Sequence, residues 1–389
     1  MKVKQNSFYN FSVALFLYAT LIVDLYRKIG GSSVELVRNL FYIITFGLIL
    51  IDIIKSKRTI KIFIIGFLVS LFFLISSQIN FGHNSIYIST WILFISRLLP
   101  AYYIGRYTEN WEEVSKYVSN LSWLALLYAL IAIITPYDGM SNAYATIGTN
   151  LVFVSFIIIR YAIKNNIYIY IGISLICFAA VLFLGTRAIF VGTLLSIVFV
   201  IIFFINNQSK AHKILLWTVV ILILLVVVSS FSTIIEALID YFPNSRTLKI
   251  LNAGDMLNDS NRSDGFYSEL INSLLTHPFK IHGFLGDRIY LAGPYATNDV
   301  ILSSFSHNVI LELCMNFGLM PGLLMSLYFL FILIKSLVKS LKNNKINNYL
   351  FVMVLGCSFV DMMISLSYLG AYQMWLLFGL AYKIIKTKV

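Results

Sequence analysis

The sequence predicts an all-α integral membrane protein with about 12 transmembrane helices and one large extracytoplasmic loop. Of its 389 residues, 59% are hydrophobic and 12% are charged, whereas soluble domains are about half apolar and about a quarter charged. Mean hydropathy is +0.85. The apolar residues form runs of about 20, the length that crosses a bilayer, and basic residues gather at alternate ends of these runs. These three observations favour a multi-pass membrane protein.

Twelve apolar runs follow one another along the chain. The first follows Lys2 and Lys4 and has no small-residue cleavage site after it, so we interpret it as a retained span. The runs lie near 8–26, 36–54, 60–78, 86–105, 115–135, 145–163, 167–184, 187–205, 214–232, 317–338, 349–368 and 371–385.

The distribution of Lys and Arg predicts that both termini are cytoplasmic. This orientation places 19 of the 29 basic residues inside and only Arg27, Lys28, Arg38 and Arg187 in the short outer connections. The net charge of +12 is dispersed over the ends of the runs. It therefore indicates topology and not a nucleic-acid partner.

The runs divide the chain into three parts: spans one to nine in 1–232, an extracytoplasmic loop in 233–305, and spans ten to twelve in 306–389. The loop is mildly acidic, with 5 basic and 8 acidic residues. Within it, apolar residues recur at helical spacing from Gly265 to Thr276. This pattern predicts an amphipathic helix that lies over the mouth of the bundle and ends before Pro278.

Three residues at the outer side are candidates for chemistry. Arg187 lies in the first turn of span eight, where unpaired N–H groups and the helix dipole favour an anion, although an arginine can also snorkel there. Arg262 opens the predicted loop helix, where the alternative is a solvated side chain. His307 precedes an apolar helix and can exchange a proton near neutral pH, or it can simply pack. Glu312 lies about 140° around that helix from His307, so the two need not pair.

Two charges lie deep within spans, where they are costly. Arg97 is in the middle of span four and Asp361 is in span eleven. An Arg97–Asp361 ion pair is the favoured interpretation, and a phosphate-binding role for Arg97 is the alternative.

Several signatures are absent from the sequence. It has no P-loop and no Asp-x-Asp or His-rich metal motif in the outer loops. Its three cysteines lie in or beside apolar runs without paired spacing, so neither a disulfide framework nor a zinc knuckle is expected. The spans show no matching pair of Gly/Pro-broken helices, which disfavours a secondary transporter.

Several motifs follow one another in order along the chain: Gly185-Thr186-Arg187-Ala188, Arg262, Thr276-His277-Pro278-Phe279, Gly283-Phe284, Ser306-His307-Asn308, Leu311-Glu312, Gly318 and Gly322. Together these motifs resemble the O-antigen polymerase and ligase superfamily (Wzy/WaaL-like). The resemblance covers roughly 185–325, and the first half agrees only in architecture. The family often has serine and glycine on either side of its first arginine, where this chain has the small residues Thr186 and Ala188.

The resemblance implies a GT-C-like, metal-independent glycosyltransferase without a cofactor, in a bacterial inner membrane with its active site on the periplasmic side. The substrate would be an oligosaccharide on undecaprenyl diphosphate, held in the bilayer, with a chain-length regulator as a further partner. Arg187 and Arg262 would hold the diphosphate and His307 would act at the reacting centre. Further candidates for substrate binding are Arg97, Arg288 and Glu312.

Three functions are compared. The favoured one is a polymerase that transfers the growing glycan onto the next lipid-linked repeat. A ligase that transfers the glycan to lipid A core would meet an anionic acceptor, and the mildly acidic loop disfavours it. A flippase of lipid-linked sugars would need charges along a full transmembrane path, whereas most charges here gather at one mouth.

Overall fold

The computed structural model describes 7–30, 34–56, 60–81, 85–134, 144–184, 187–241, 266–293, 308–364 and 367–387, with 248, 297, 300, 301 and 306. Within these ranges the only regular secondary structure is helix.

Eighteen α-helices and one π-helical segment make up the part of the chain that the structure describes. The π-helical segment Phe94–Leu98 joins α4 to α5. The helices are α1 Ser7–Lys28, α2 Val34–Ser56, α3 Ile60–Phe81, α4 Ser85–Leu93, α5 Leu99–Tyr107, α6 Trp111–Asn120, α7 Ser122–Ile134, α8 Tyr144–Asn165, α9 Tyr168–Val181, α10 Arg187–Asn206, α11 Lys210–Ser229, α12 Phe231–Tyr241, α13 Phe266–Thr276, α14 Gly286–Ala292, α15 Val309–Phe317, α16 Leu319–Ser340, α17 Ile346–Ile364 and α18 Tyr372–Lys386.

Helices coincide with all twelve predicted spans. Within the described residues, six are long and apolar enough to cross a bilayer: α1, the α4–α5 unit, α8, α10, α16 and α17. The α6–α7 pair passes the same test with a bend of 51° and would make a seventh, and α3 and α9 contain shorter apolar helices. The protein is thus a helical, multi-pass membrane protein, and the count of twelve stays a prediction.

Span four changes its winding at its centre. The backbone N–H of Leu99 bonds to the carbonyl of Phe94, five residues earlier. Pro100 follows directly and lacks an N–H group, and its ring crowds the preceding turn. The wider π turn accommodates this crowding and contains Arg97.

The predicted amphipathic helix of the outer loop is present. Helix α13 ends at Thr276, before Pro278, as predicted. It buries Leu270 and Leu274 against Cys314 and Met315 of α15. The helix therefore packs on one face of α15, the short helix that follows His307 in the sequence.

Candidate functional site

Helix α15 begins at an asparagine cap and folds back on α16. The Asn308 side chain accepts hydrogen bonds from the N–H groups of Ile310 (2.9 Å) and Leu311 (3.3 Å). Gly318, with φ of +90°, ends α15. A Cβ on Gly322 would lie 2.4 Å from the Cα of Cys314, so only glycine permits this hairpin. The cap is thus Asn308 and not the neighbouring His307.

The loop before α14 is fixed between α3 and α15. Gly283 has φ of +81°, and a Cβ there would lie 2.4 Å from Ser77 Oγ of α3. Its N–H donates to the carbonyl of Asn316 at 3.0 Å, and Ser77 Oγ donates to the carbonyl of Phe284 at 3.2 Å. These contacts hold the start of α14 against α15.

Three ionisable side chains meet where α14 packs on α15. Asp287, Arg288 and Glu312 are buried, with exposed fractions of 0%, 8% and 1%. Arg288 interacts electrostatically with both carboxyl groups, and the carboxyl groups interact with each other. We refer to these three residues as the acid–arginine cluster.

The pKa of the Glu312 carboxyl lies well above its ordinary value. Burial, and after it the nearby Asp287 carboxyl, raise this pKa to about 8, against the opposing effects of Arg288 and of the hydrogen bonds from Ser367 and Tyr368. The carboxyl accepts hydrogen bonds from Ser367 Oγ and from the N–H of Tyr368, the latter at 3.0 Å. A neutral Glu312 leaves the cluster without excess negative charge, so an anionic ligand can approach it.

Asp287 fixes the segment that leads to His307. Its Oδ2 accepts the backbone N–H of Ser306 at 3.0 Å. Its own backbone N–H donates to Asn316 Oδ1 of α15 at 3.3 Å. Burial raises the pKa of the Asp287 carboxyl, whereas Arg288 and the hydrogen bonds from Ser306 lower it. The residue before His307 is therefore attached to both α14 and α15.

An apolar groove begins beside the cluster and runs along the bundle. Its volume is about 510 Å³. Tyr368 lines the groove while its N–H bonds to Glu312. The groove is lined by Val69, Ser70, Phe73, Phe94, Tyr102, Phe284, Leu313, Phe317, Met325, Tyr328, Phe329, Ile332, Tyr368, Met374, Trp375, Phe378 and Tyr382.

The structure brings together two of the six predicted site residues, Arg288 and Glu312. Arg187 opens α10, as predicted, but its side chain lies outside the described part of the chain, and Arg262 and His307 lie outside the described residues altogether. Their roles stay predictions.

The favoured Arg97–Asp361 ion pair is wrong. Arg97 donates to Thr20 Oγ1 at 3.0 Å, and its guanidinium carbon lies 4.8 Å and 5.0 Å from the ring centroids of Tyr42 and Tyr372. Asp361 instead accepts a hydrogen bond from Thr149 of α8. The two charges face different helices, and the substrate-binding role of Arg97 stays a prediction.

Two features of the site were missed from the sequence. Arg288 is a candidate site residue from the sequence, but its neighbour Asp287 is included there only in the number of acidic residues of the loop. A signal was present: an acid–base pair opens the apolar stretch Ile289-Tyr290-Leu291. The groove has no local signal, because its lining comes from several distant helices.

Comparisons with protein-family models, curated proteins and solved structures find no match for this chain. Within the described residues, no group of three or more His, Cys, Asp or Glu side chains could hold a metal ion. Function is therefore argued from the site itself.

The raised pKa of Glu312 predicts a pH dependence of stability. Between its ordinary pKa of 4.5 and about 8, the folded protein holds a proton that the unfolded chain has released. The free energy of unfolding therefore falls as pH rises through this window. The glutamine of Glu312→Gln cannot ionise. Between pH 6.5 and 8 we therefore expect the free energy of unfolding of this variant to decrease by roughly 1–2 kcal/mol less than that of the wild type.

Thermal unfolding in neutral detergent at a series of pH values measures this difference. Glu269→Gln removes an exposed carboxyl on α13 and is the matched control. A Glu312→Gln profile parallel to that of the wild type would show that Glu312 is ionised in the folded protein.

Proposed function

We propose that this protein is a polysaccharide polymerase. It transfers a growing glycan from undecaprenyl diphosphate to a hydroxyl of the next lipid-linked repeat. The observation that carries the proposal is the junction of the apolar groove with the acid–arginine cluster. Tyr368 belongs to both, through its ring and its N–H group.

Such a junction suits an amphiphilic substrate. Ligand sites are concave and mostly apolar, with a few polar groups that fix orientation, and their volumes are about 300–1,000 Å³. The groove has this size and lining. Tyr328, one of its lining residues, is 56% exposed, so the groove is open at the surface of the bundle. A polyprenyl chain can therefore enter sideways from the membrane, with its diphosphate at the cluster.

The charges at the outer end suit the departure of a diphosphate. When the sugar–phosphate bond breaks, its electron pair leaves with the diphosphate and the acceptor hydroxyl releases a proton. Arg288 is already placed in a buried site, where a cation stabilises developing negative charge strongly. In the proposed mechanism Arg187 and Arg262 add two guanidinium groups, and His307 takes the proton from the acceptor.

The groove gives a test by obstruction. Met325 lines it, whereas Leu327 on the same helix is 62% exposed and does not. We expect Met325→Trp to reduce transfer from an undecaprenyl-linked donor by roughly 10- to 100-fold, because a displaced chain moves the reacting bond out of place. Leu327→Trp, the matched control, should transfer at the wild-type rate.

A donor with a short prenyl chain separates obstruction from misfolding. Because it does not fill the groove, Met325→Trp and wild type should use it equally well. A Met325→Trp enzyme with wild-type kinetics on the undecaprenyl donor would refute the groove as the lipid site.

A further inference from the structure

A separate, polar cavity lies at the C-terminal end of α16. This helix has 22 residues, so its two ends are about 33 Å apart, close to the thickness of a bilayer core. The cavity has a volume of about 80 Å³. It is lined by Lys339, Lys342, Asn343, Lys345, Asn347, Asn348, Lys383, Ile384 and Thr387. We call it the lysine pocket, and the predicted topology places it on the cytoplasmic side.

The pocket has a fixed frame. Lys339 Nζ donates to the carbonyl of Ile385 at 3.1 Å, at the end of α18. Lys383 Nζ lies 3.4 Å from Asn347 Oδ1 and also donates to the carbonyl of Thr108. The amide of Asn348 donates to the carbonyl of Asn343 at 2.6 Å, which closes the turn between α16 and α17. The ends of three helices thus hold Lys339 and Lys383 in place.

The charge of the pocket points to an anion. Four of its nine lining residues are lysines and none is acidic. Among the described residues, Glu109 interacts with Lys383 from outside the lining. Helix α17 begins here with no acidic residue in its first turn, and its N-terminal N–H groups add positive potential. Because these four lysines line one cavity, an anion bound between them would reduce their mutual repulsion.

The surface above the pocket indicates where the anion comes from. Phe331, Ile334 and Val338 are 60%, 62% and 53% exposed, and their spacing forms one stripe on α16 that leads to Lys342. An acyl chain lying along this stripe would bring a headgroup phosphate to the pocket. The cavity, with a volume of about 80 Å³, has room for a phosphate group.

We propose that the lysine pocket binds the phosphate of an anionic phospholipid of the cytoplasmic leaflet. Basic pockets between transmembrane helices on that side bind such headgroups. Lys342 and Lys345 line the pocket, and their bonds to the described residues are made by the backbone and not by the side-chain ammonium groups, so these groups can contact the lipid. Each basic residue near an anionic surface contributes about 1 kcal/mol, which is about fivefold in affinity.

The test uses delipidated protein in neutral detergent, with binding measured by native mass spectrometry and by the shift of the unfolding temperature. We expect phosphatidylglycerol to bind more tightly than phosphatidylcholine. The double variant Lys342→Gln/Lys345→Gln should bind phosphatidylglycerol about 25-fold more weakly. Lys210→Gln/Lys213→Gln removes the same charge at the start of α11 and should bind as the wild type does.

Three results would contradict the proposal. Equal binding of the two lipids would show that the protein does not recognise the negative charge of the headgroup. An equal loss in both double variants would show only diffuse attraction to positive charge. If inorganic phosphate alone raised the unfolding temperature and phosphatidylglycerol raised it no further, the pocket would be a site for a free anion and the proposed lipid site would be wrong.

Discussion

Replacement of His307 by alanine is expected to slow glycan transfer by roughly 10²–10⁴-fold, the usual effect of removing a positioned acid or base. Binding of the lipid-linked donor should change little, because the proposed mechanism assigns the diphosphate to the arginines. His307→Gln keeps a hydrogen-bond donor but cannot exchange a proton near neutral pH. A base role therefore predicts that glutamine is nearly as damaging as alanine.

Asn308→Ala is the matched control for His307. The Asn308 side chain caps α15, because its Oδ1 accepts the N–H of Ile310. Its removal costs about 1 kcal/mol of stability, and the side chain has no role in the proposed proton transfer. If His307→Ala transfers glycan as fast as the wild type, the proposed chemistry is wrong. If Asn308→Ala is as slow as His307→Ala, the effect of the histidine is structural.

Replacement of Arg288 by methionine is expected to abolish donor binding and to destabilise the protein. The substitution leaves Asp287 and Glu312 buried without their cation. Breaking a buried ion pair by removing one partner costs about 3–5 kcal/mol. Donor affinity, measured by competition with undecaprenyl diphosphate, and the unfolding temperature report the two effects separately.

A double variant separates substrate binding from folding. Asp287→Asn/Arg288→Met replaces the pair by neutral groups of similar size, and the asparagine Oδ1 can still accept the N–H of Ser306. Its stability should largely return, since replacing both charges of a buried pair is often neutral or stabilising. Its donor binding should not return. A stable double variant that binds the donor like the wild type would exclude Arg288 from the diphosphate site.

Features set by local sequence could be predicted. The start of α10 at Arg187 and the end of α13 at Thr276 follow from apolar periodicity and from Pro278. Hydrophobic length located a helix at every predicted span, because in a bilayer each span must satisfy its own backbone hydrogen bonds.

Features that depend on how helices face one another could not be predicted. Arg97 and Asp361 were paired on their depth alone, but the structure turns Arg97 towards Tyr42 and Tyr372 and Asp361 towards Thr149. The acid–arginine cluster depends in the same way on how α14 packs against α15. Sequence spacing gives no angle between helices that are distant along the chain.

The most direct test of the central claim is synthesis from purified components. Proteoliposomes containing only this protein would receive undecaprenyl-diphosphate-linked repeat units, with EDTA present. We predict a ladder of polymers, still attached to lipid, with one undecaprenyl diphosphate released for each repeat added. Transfer that occurs only when lipid A core is supplied would contradict the polymerase and assign the same site to a ligase. Movement of the lipid across the bilayer without any new glycosidic bond would contradict an enzyme altogether.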